Sequence, residues 1–432
     1  MEGDSQITTP ISFESVFKLT EHEAFSGDAR TYIEGLNLDF RITDYESAPR
    51  YLGISPKLEA SYFIGAEWLT EDKAVVITPK IGDIDFLKMF ESALRFKFAA
   101  NYFPKFYGID FNAPRIESET LDNILTPLLM IHYLNTVKIL ISKGLKKGYV
   151  SREENMSSKI KGKVMMSKHF SKNVTVQRSD RIICAYQEYS NDISENRLLK
   201  RALLYVQHCF NSWPAILNHS LHTSLSTTAS EALAAFNNVS DQVDISSVKF
   251  VQKNKLYGDY GTAIRLAKMV LRRFDYSITN TSSNRHLIPP FWIDMSRLFE
   301  VYVYGLLEKA YPNQICFQVK GHLQTQADFL KLDEKLILDA KYKPQYADSN
   351  SGMIEDIREM SGYARDEAIL ARLGLHSVDT VPDCVIISPA YDDHGEADIS
   401  PFSTDILKIV KPIPGFRRFH KVQVPIPRLA PH

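Results

Sequence analysis

The sequence predicts a multidomain α+β protein, with a β-rich N-terminal part, a helical middle and a C-terminal α/β part built around a mixed sheet. Three observations carry this. Residues 60–78 hold two β-branched and aromatic runs around a short polar turn. Residues 121–274 are dominated by segments with apolar residues at helical spacing. After Pro289-Pro290 the order becomes helix, strands, helix, strand. At 432 residues the chain exceeds the size at which a single core stops growing. The expected domains are residues 1–115, 116–290 and 291–432.

Residues 60–69 and 74–78 flank the polar Thr70-Glu71-Asp72-Lys73 and read as a hairpin. Pro79 closes it, because proline cannot donate to a ladder. Residues 85–100 carry Phe86, Leu87, Met89, Phe90, Leu94 and Phe98 at helical spacing. Residues 121–143 and 195–209 are long helix candidates, with 161–164 and 173–176 extended between them. The Ser/Thr-rich stretch 219–228 reads as a loop before a helix over 229–237, and 263–274 as an amphipathic helix. Pro289-Pro290 marks a boundary. Asp294 is an N-cap for a helix over 295–310. Strands follow over 314–319, 328–332 and 336–342, then a helix over 354–373 and a buried strand over 383–389.

Composition narrows the class. Apolar residues make up 44% and charged residues 24%, as in a soluble globular protein. The most apolar segment, residues 124–134, is short and interrupted by Thr126, Pro127 and His132, so no membrane span is expected. Cys184, Cys209, Cys316 and Cys384 are scattered without a CxxC pair, which indicates neither a zinc site nor a disulfide framework. A reducing cytoplasm is the expected setting. The net charge is −1, but it is unevenly spread. Residues 1–130 are acidic. Residues 138–181 carry twelve Lys and Arg, with Lys159, Lys161 and Lys163 at their centre, against Glu153, Glu154 and Asp180. Such a segment is a candidate surface for DNA phosphates, the alternative being a plain solvated stretch.

The most informative segment is 326–342. With Asp333-Glu334 at the centre of a tight turn, Asp328 and Asp339 face one another on one side of the sheet, their Cβ atoms about 5 Å apart. Lys341 lies two residues on and shares that face, while Leu338 and Ala340 point away. Two hard carboxylates at close range suit Mg²⁺, with the Ala340 carbonyl as an added ligand. Such a metal polarises a scissile phosphate and acidifies a bound water. Lys341 orients or deprotonates that water and offsets charge on the phosphate oxygens. An acidic-x-Lys triplet alone says little, since Glu71-Asp72-Lys73 and Asp333-Glu334-Lys335 also fit. Asp339-Ala340-Lys341 differs because it ends the apolar run Leu336-Ile337-Leu338 and has Asp328 across the strands.

Asp328 through Lys341 resembles the core of PD-(D/E)xK nucleases, with Ala327 in place of the usual proline. Met295-Ser296-Arg297-Leu298-Phe299-Glu300 resembles the opening helix of the McrC family, a component of McrBC 5-methylcytosine restriction systems. Residues 60–81 with their Pro79-Lys80-Ile81 step, Lys161-Gly162-Lys163-Val164, residues 191–200, Phe236-Asn237-Asn238-Val239 and Asn254 with Tyr257 are similar to further parts of that family, in order. The resemblance implies a Mg²⁺-dependent endonuclease that cuts double-stranded DNA with a separate AAA+ NTPase hexamer. Asp328, Asp339 and Lys341 would be catalytic, and Glu300 a further acid at the metal; the alternative for Glu300 is a solvent-facing helix carboxylate. Related nucleases often carry Gln-x-x-x-Tyr on the next helix. Here the pattern is Glu359-Met360-Ser361-Gly362-Tyr363, which leaves the part of Glu359 open and lets Tyr363 be read as core. No Gly-x-x-x-x-Gly-Lys-[Ser/Thr] loop is present, so an NTPase would act in trans. A non-catalytic adaptor that keeps the fold, and a free-standing repair or junction nuclease, are the competing readings.

Overall fold

The computed structural model describes residues 16–36, 38–40, 49–86, 88–90, 105–110, 113–118, 122–212, 219–249, 257–279, 286–343, 353–377, 380–390, 407 and 410–428. The chain divides into two compact units, Met1–Leu128 with Ser282–His432, and Leu129–Thr281. The parts expected at 1–115 and 291–432 therefore lie in one unit. The first unit opens with β1 (Val16–Thr20), α1 (Gly27–Gly35), β2 (Phe63–Trp68), β3 (Ala74–Thr78), β4 (Tyr107–Ile109) and β5 (Ile116–Ser118), and α2 (Asp122–Lys143) leads into the second. There β6 (Gly148–Ser157), β7 (Lys163–Val164) and β8 (Arg181–Ser190) precede α3 (Ser194–Ser212), α4 (His219–Ala235) and α5 (Gly258–Thr279). The chain returns as β9 (His286–Ile288), β10 (Phe291–Asp294), α6 (Met295–Ala310), β11 (Ile315–Lys320), β12 (Gln326–Lys331) and β13 (Leu336–Ala340). It then forms α7 (Ile354–Tyr363), α8 (Glu367–Arg372), β14 (Asp383–Ala390), β15 (Lys411–Pro412) and β16 (Phe419–Pro425). Among the described residues, no helix is long and apolar enough to cross a membrane.

β2 and β3 make the expected antiparallel hairpin, with Gly65 opposite Ile77. The sheet they belong to has the order β1-β3-β2-β10-β4. β10 comes from far along the chain and pairs with β2 on one side and β4 on the other. Trp292 lies opposite Gly65 on β2 and Gly108 on β4. Both glycines are needed there. A Cβ on Gly65, whose φ is +142°, would stand 2.0 Å from the Phe291 carbonyl oxygen, and one on Gly108 would stand 2.6 Å from the Trp292 indole nitrogen. The helix expected over 85–100 begins at Phe86, and residues 91–100 lie outside the described residues.

The second sheet of this unit has the order β11-β12-β13-β14-β16-β15. It is mixed, as expected: β11, β12 and β13 are antiparallel, β13, β14 and β16 run parallel, and β15 closes the edge antiparallel. Asp294 caps α6 by accepting from the Arg297 backbone N–H at 3.0 Å. On one face Tyr304 of α6 packs against Phe317 and Phe329 at centroid distances of 4.8 and 6.3 Å. On the other, Ile357 and Met360 of α7 join Leu330, Ile337 and Ile386 in a buried cluster. The helix expected over 354–373 is two helices. Asp366 breaks it by capping α8, accepting from the N–H groups of Ala368 and Ile369.

The second unit departs most from expectation. Residues 173–176 are not extended. They end a short helical turn in which Asn173, fully buried, exchanges hydrogen bonds with Asn155 of β6 and donates to the Arg181 carbonyl. Residues 219–228 are helix rather than loop. Leu225, Ala229 and Ala232 form a buried stripe there at helical spacing, which the Ser/Thr content obscures. Asn254 lies outside the described residues.

At the end of β1, Glu21 ties the N-terminal sheet to the residue after Lys341. Its Oε2 accepts from the Lys80 N–H at 2.9 Å and the Tyr342 hydroxyl at 3.2 Å, while Oε1 is buried without a partner. Burial raises its pKa to about 8, the nearby Asp294 adding to the shift and the Lys80 and Tyr342 donors opposing it. An acid raised when folded contributes stability that is full below its unfolded value of 4.5 and is lost as pH rises through about 8. Glu21→Gln keeps the acceptor and removes the titration. The wild type should therefore lose thermal stability relative to this variant between about pH 5 and pH 9. Melting curves that stay parallel across that range would refute the assignment.

Candidate active site

The β12–β13 hairpin sets the site. Its observed pairs are Phe329 with Leu338, Leu330 with Ile337 and Lys331 with Leu336, which is the register expected from the Asp333-Glu334 turn. Lys331 secures the turn. Its side chain is 1% exposed, its Nζ donates to Asp333 Oδ1 at 2.8 Å and Glu334 Oε1 at 2.9 Å, and it lies 4.3 Å from the Tyr311 ring centroid.

Continued by one step, that register brings Asp328 to Asp339. Asp328 Oδ2 accepts from the Ala340 backbone N–H at 2.9 Å. Asp339 is 1% exposed and Asp328 is partly accessible. Lys341 continues the strand, its N–H bonded to the Ile387 carbonyl at 2.8 Å. Its Nζ lies 3.0 Å from Asp339 Oδ2 and 2.8 Å from Glu359 Oε2. The structure thus brings Asp328, Asp339 and Lys341 together on the face expected.

Two further carboxylates join them. Glu300 on α6 is 8% exposed, so it is not a solvent-facing helix carboxylate. It accepts from Gln318 Nε2 at 3.0 Å. Gln318 itself has φ +49°, a left-handed backbone within β11, between the pairs Phe317–Phe329 and Val319–Ala327. Such strain in a non-glycine residue persists only where surrounding structure holds it. Nothing in the sequence pattern singles out Gln318. Glu359 on α7 bridges Lys341 and the Tyr363 hydroxyl, which donates to Oε1 at 2.6 Å. Tyr363 is buried, as its reading as core expects, and its hydroxyl also holds Glu359.

The electrostatics follow from this crowding. Burial, then the charges of Glu300 and Asp339, push the Asp328 carboxyl well above the usual range. Burial also raises Asp339, against the opposing charge of Lys341. Burial would lower Lys341, but Asp339 and Glu359 outweigh it and hold the ammonium well above an ordinary lysine. Glu359 is lowered: burial opposes, and the Lys341 and Tyr363 donors prevail.

The residues fit a hard divalent cation. Asp339 Oδ2 is buried and makes no hydrogen bond of good geometry, despite Lys341 Nζ at 3.0 Å. Burial is the largest cause of both raised carboxyls, with Glu300 adding to the shift of Asp328 and Glu359 to that of Asp339. Among the described residues, no three His, Cys, Asp or Glu side chains form a metal-binding group by themselves. The hard donors that the described residues offer here are the carboxylate oxygens of Asp328 and Asp339.

The basic segment is narrower than its composition suggests. Lys143, Lys146, Arg152 and Lys168 are ion-paired with Asp259, Glu195, Glu188 and Asp192, and Glu153. Lys159, Lys161 and Lys163 are exposed, on and before β7, with the Lys161 Nζ 3.9 Å from the Tyr186 ring centroid. Residues 191–200 form a structural network. Arg197 and Arg152 hold the buried Asp192, and the fully buried Asn196 donates to the Lys146 and Asn191 carbonyls and accepts from the Tyr260 hydroxyl.

No curated protein matches the sequence. Among solved structures, the chain is similar to a half-complex refined from a tetradecameric assembly of Thermococcus gammatolerans McrB AAA+ hexamers with bound McrC. Identity there is 16% and the TM-score 0.41, over 96% of this chain and 95% of that one. It is also similar to the cryo-EM structure of the Thermococcus gammatolerans McrBC complex, at 15% identity and TM-score 0.29, over 68% of this chain and 88% of that one. Both likenesses are distant. The family model described as McrBC 5-methylcytosine restriction system component matches residues 58–364. That span takes in the β2–β3 hairpin, the polar network around Asn196 and the hairpin with Asp328, Asp339 and Lys341, and so the chain belongs to the McrBC 5-methylcytosine restriction system component family.

Proposed function

We propose that this chain is the Mg²⁺-dependent DNA endonuclease subunit of a McrBC-type restriction system, switched on by a separate AAA+ NTPase hexamer. The observation that carries the reading is the juxtaposition of Asp328, Asp339 and Lys341, two crowded carboxylates with an orphaned buried oxygen beside one ammonium. Asp328, Asp339 and the Ala340 carbonyl would hold the cation, with Glu300 adding charge behind Asp328. Mg²⁺ bound there supplies Lewis acidity at the scissile phosphate and a more acidic water. Lys341, kept charged by Asp339 and Glu359, donates to the phosphate oxygens as charge builds on them. Glu359, steadied by Tyr363, fixes where that ammonium points.

Family membership and the lack of a phosphate-binding loop support a motor acting in trans. The second unit offers surface for such contacts: Ile160, Met166, Phe170, Val174 and Val176 are each at least 45% exposed. Lys159, Lys161 and Lys163 beside them suit the DNA backbone.

Asp339→Asn and Lys341→Ala should each cut Mg²⁺-dependent cleavage by at least about 100-fold while leaving the melting curve and DNA binding close to wild type. An Asp339→Asn protein that cleaves at the wild-type rate removes the assignment. Lys159→Glu, Lys161→Glu and Lys163→Glu together should weaken duplex binding and flatten its salt dependence by about 0.9 in log–log slope for each phosphate no longer neutralised. An unchanged slope makes the loop a solvated surface or a protein contact. On size-exclusion chromatography the full chain should co-elute with the AAA+ partner of its system, raise that partner's NTP hydrolysis and cleave DNA only in the mixture. Strong cleavage by the chain alone would favour the free-standing nuclease.

A further inference from the structure

β11 and β12 break their alternation at the same place. In a regular strand successive side chains take opposite faces. On β12, Phe329 stacks on Tyr304 of α6, and Leu330 joins Ile357 and Met360 of α7 on the other face. Ala327 should then share the face of Phe329, yet it lies in the α7 cluster with Leu330. β11 does the same. Cys316 and Val319, three residues apart, both pack against that cluster, while Phe317 lies with Tyr304. Both skips fall on one cross-strand position. Phe317 pairs with Phe329 and Val319 with Ala327, which puts Gln318 opposite Asp328, and these two make no ladder pair.

Gln318 is where the backbone of β11 turns. Its φ of +49° lies in the left-handed region, which a residue with a Cβ holds only where its surroundings impose it. Asp328, at the crossover of β12, reaches β13 through its side chain, Oδ2 accepting from the Ala340 N–H at 2.9 Å. It also feels α6. Of the charges that act on Asp328, that of Glu300 is the largest, ahead of Asp339. Gln318 Nε2 donates to Glu300 Oε1 at 3.0 Å. One residue thus combines the twist opposite Asp328 with the donor that holds the neighbouring acid. An irregular edge strand is by itself a guard against pairing with another chain. That role calls for the backbone of Gln318 and not for an amide on the buried Glu300.

We propose that Gln318 is a positioning residue for the cation, holding the Glu300 carboxylate so that its charge falls on the ion that Asp328 binds. This rests on the Mg²⁺ reading of the site. A side chain already fixed by a second partner loses less freedom when an ion arrives. Outer partners of this kind typically govern metal affinity by about 10- to 100-fold.

The test is calorimetric titration of the full chain, without DNA, with Mn²⁺, which takes the same oxygen ligands as Mg²⁺. Gln318→Met keeps the length and removes the donor, and should bind at least about tenfold more weakly. Gln318→Asn accepts a left-handed backbone more readily, while its amide falls one methylene short of Glu300. It should lose as much affinity and melt as wild type. The double variant Gln318→Met, Glu300→Gln should bind no more weakly than Glu300→Gln alone, because Gln318 acts through Glu300. Losses that add instead overturn the proposal, as they would for a merely structural Gln318. If Gln318→Met lowers the melting temperature, the same cycle built with Gln318→Asn decides. Wild-type affinity in both Gln318 variants, with binding lost in Asp339→Asn, overturns the proposal and leaves the Mg²⁺ reading standing. Binding to Asp339→Asn as tight as to wild type puts the ion elsewhere and overturns both.

Discussion

A lysine side chain taken out of water is costly unless acceptors surround it. Lys331 has Asp333, Glu334 and the face of Tyr311, the first two within the few residues that reverse the chain between β12 and β13. That clamp sets the length of the turn, and the length of the turn sets the register. A slip of one residue would turn Asp339 and Lys341 together towards Tyr304 and Phe329 and bring Leu338 and Ala340 to the side of Asp328. The aromatic stack of Tyr304, Phe317 and Phe329 opposes such a slip from the other face. The acidic face thus depends on a turn lock and an aromatic face.

The hairpin was legible because a strand's period of two and a short turn leave little freedom. Asp328, Asp339 and Lys341 could be placed by spacing, and α6 with its Asp294 cap followed from an apolar stripe and one capping residue. What could not be read depends on distant partners. Glu300 looks like any helix carboxylate until Gln318, on a strained strand, is seen to hold it. Glu359 could be noticed as a departure from a pattern, but its contact with Lys341 exists only once α7 is laid over β13. The helix over 219–228 was hidden by hydroxyl residues whose local competition with the backbone is a weak effect beside the burial of Leu225 and Ala229.

Motif resemblance and site membership also proved separable. Residues 191–200 resemble part of the family pattern, yet Asp192, Asn196 and Arg197 spend their hydrogen bonds on one another, on Arg152, on the Tyr260 hydroxyl and on backbone. Each of these three side chains is satisfied within the network, and losing one would leave others unsatisfied. A stretch can therefore be constrained by polar packing alone. In residues 326–341 the constraint is different, since there Asp339 Oδ2 is buried without a hydrogen bond of good geometry.

The position of β10 bears on how such a protein can be taken apart. This strand lies between β2 and β4, wedged by Trp292 between two glycines, and runs without a linker through Asp294 into α6, whose Glu300 stands behind Asp328. A protease that cuts before Pro290 would not release the second sheet as a self-sufficient module. It would pull the middle out of one sheet and free the end of the helix that supports the other. Recombination between relatives at that point would meet the same obstacle. The N-terminal sheet and the hairpin that carries Asp328 and Asp339 belong to one compact unit and stand or fall together.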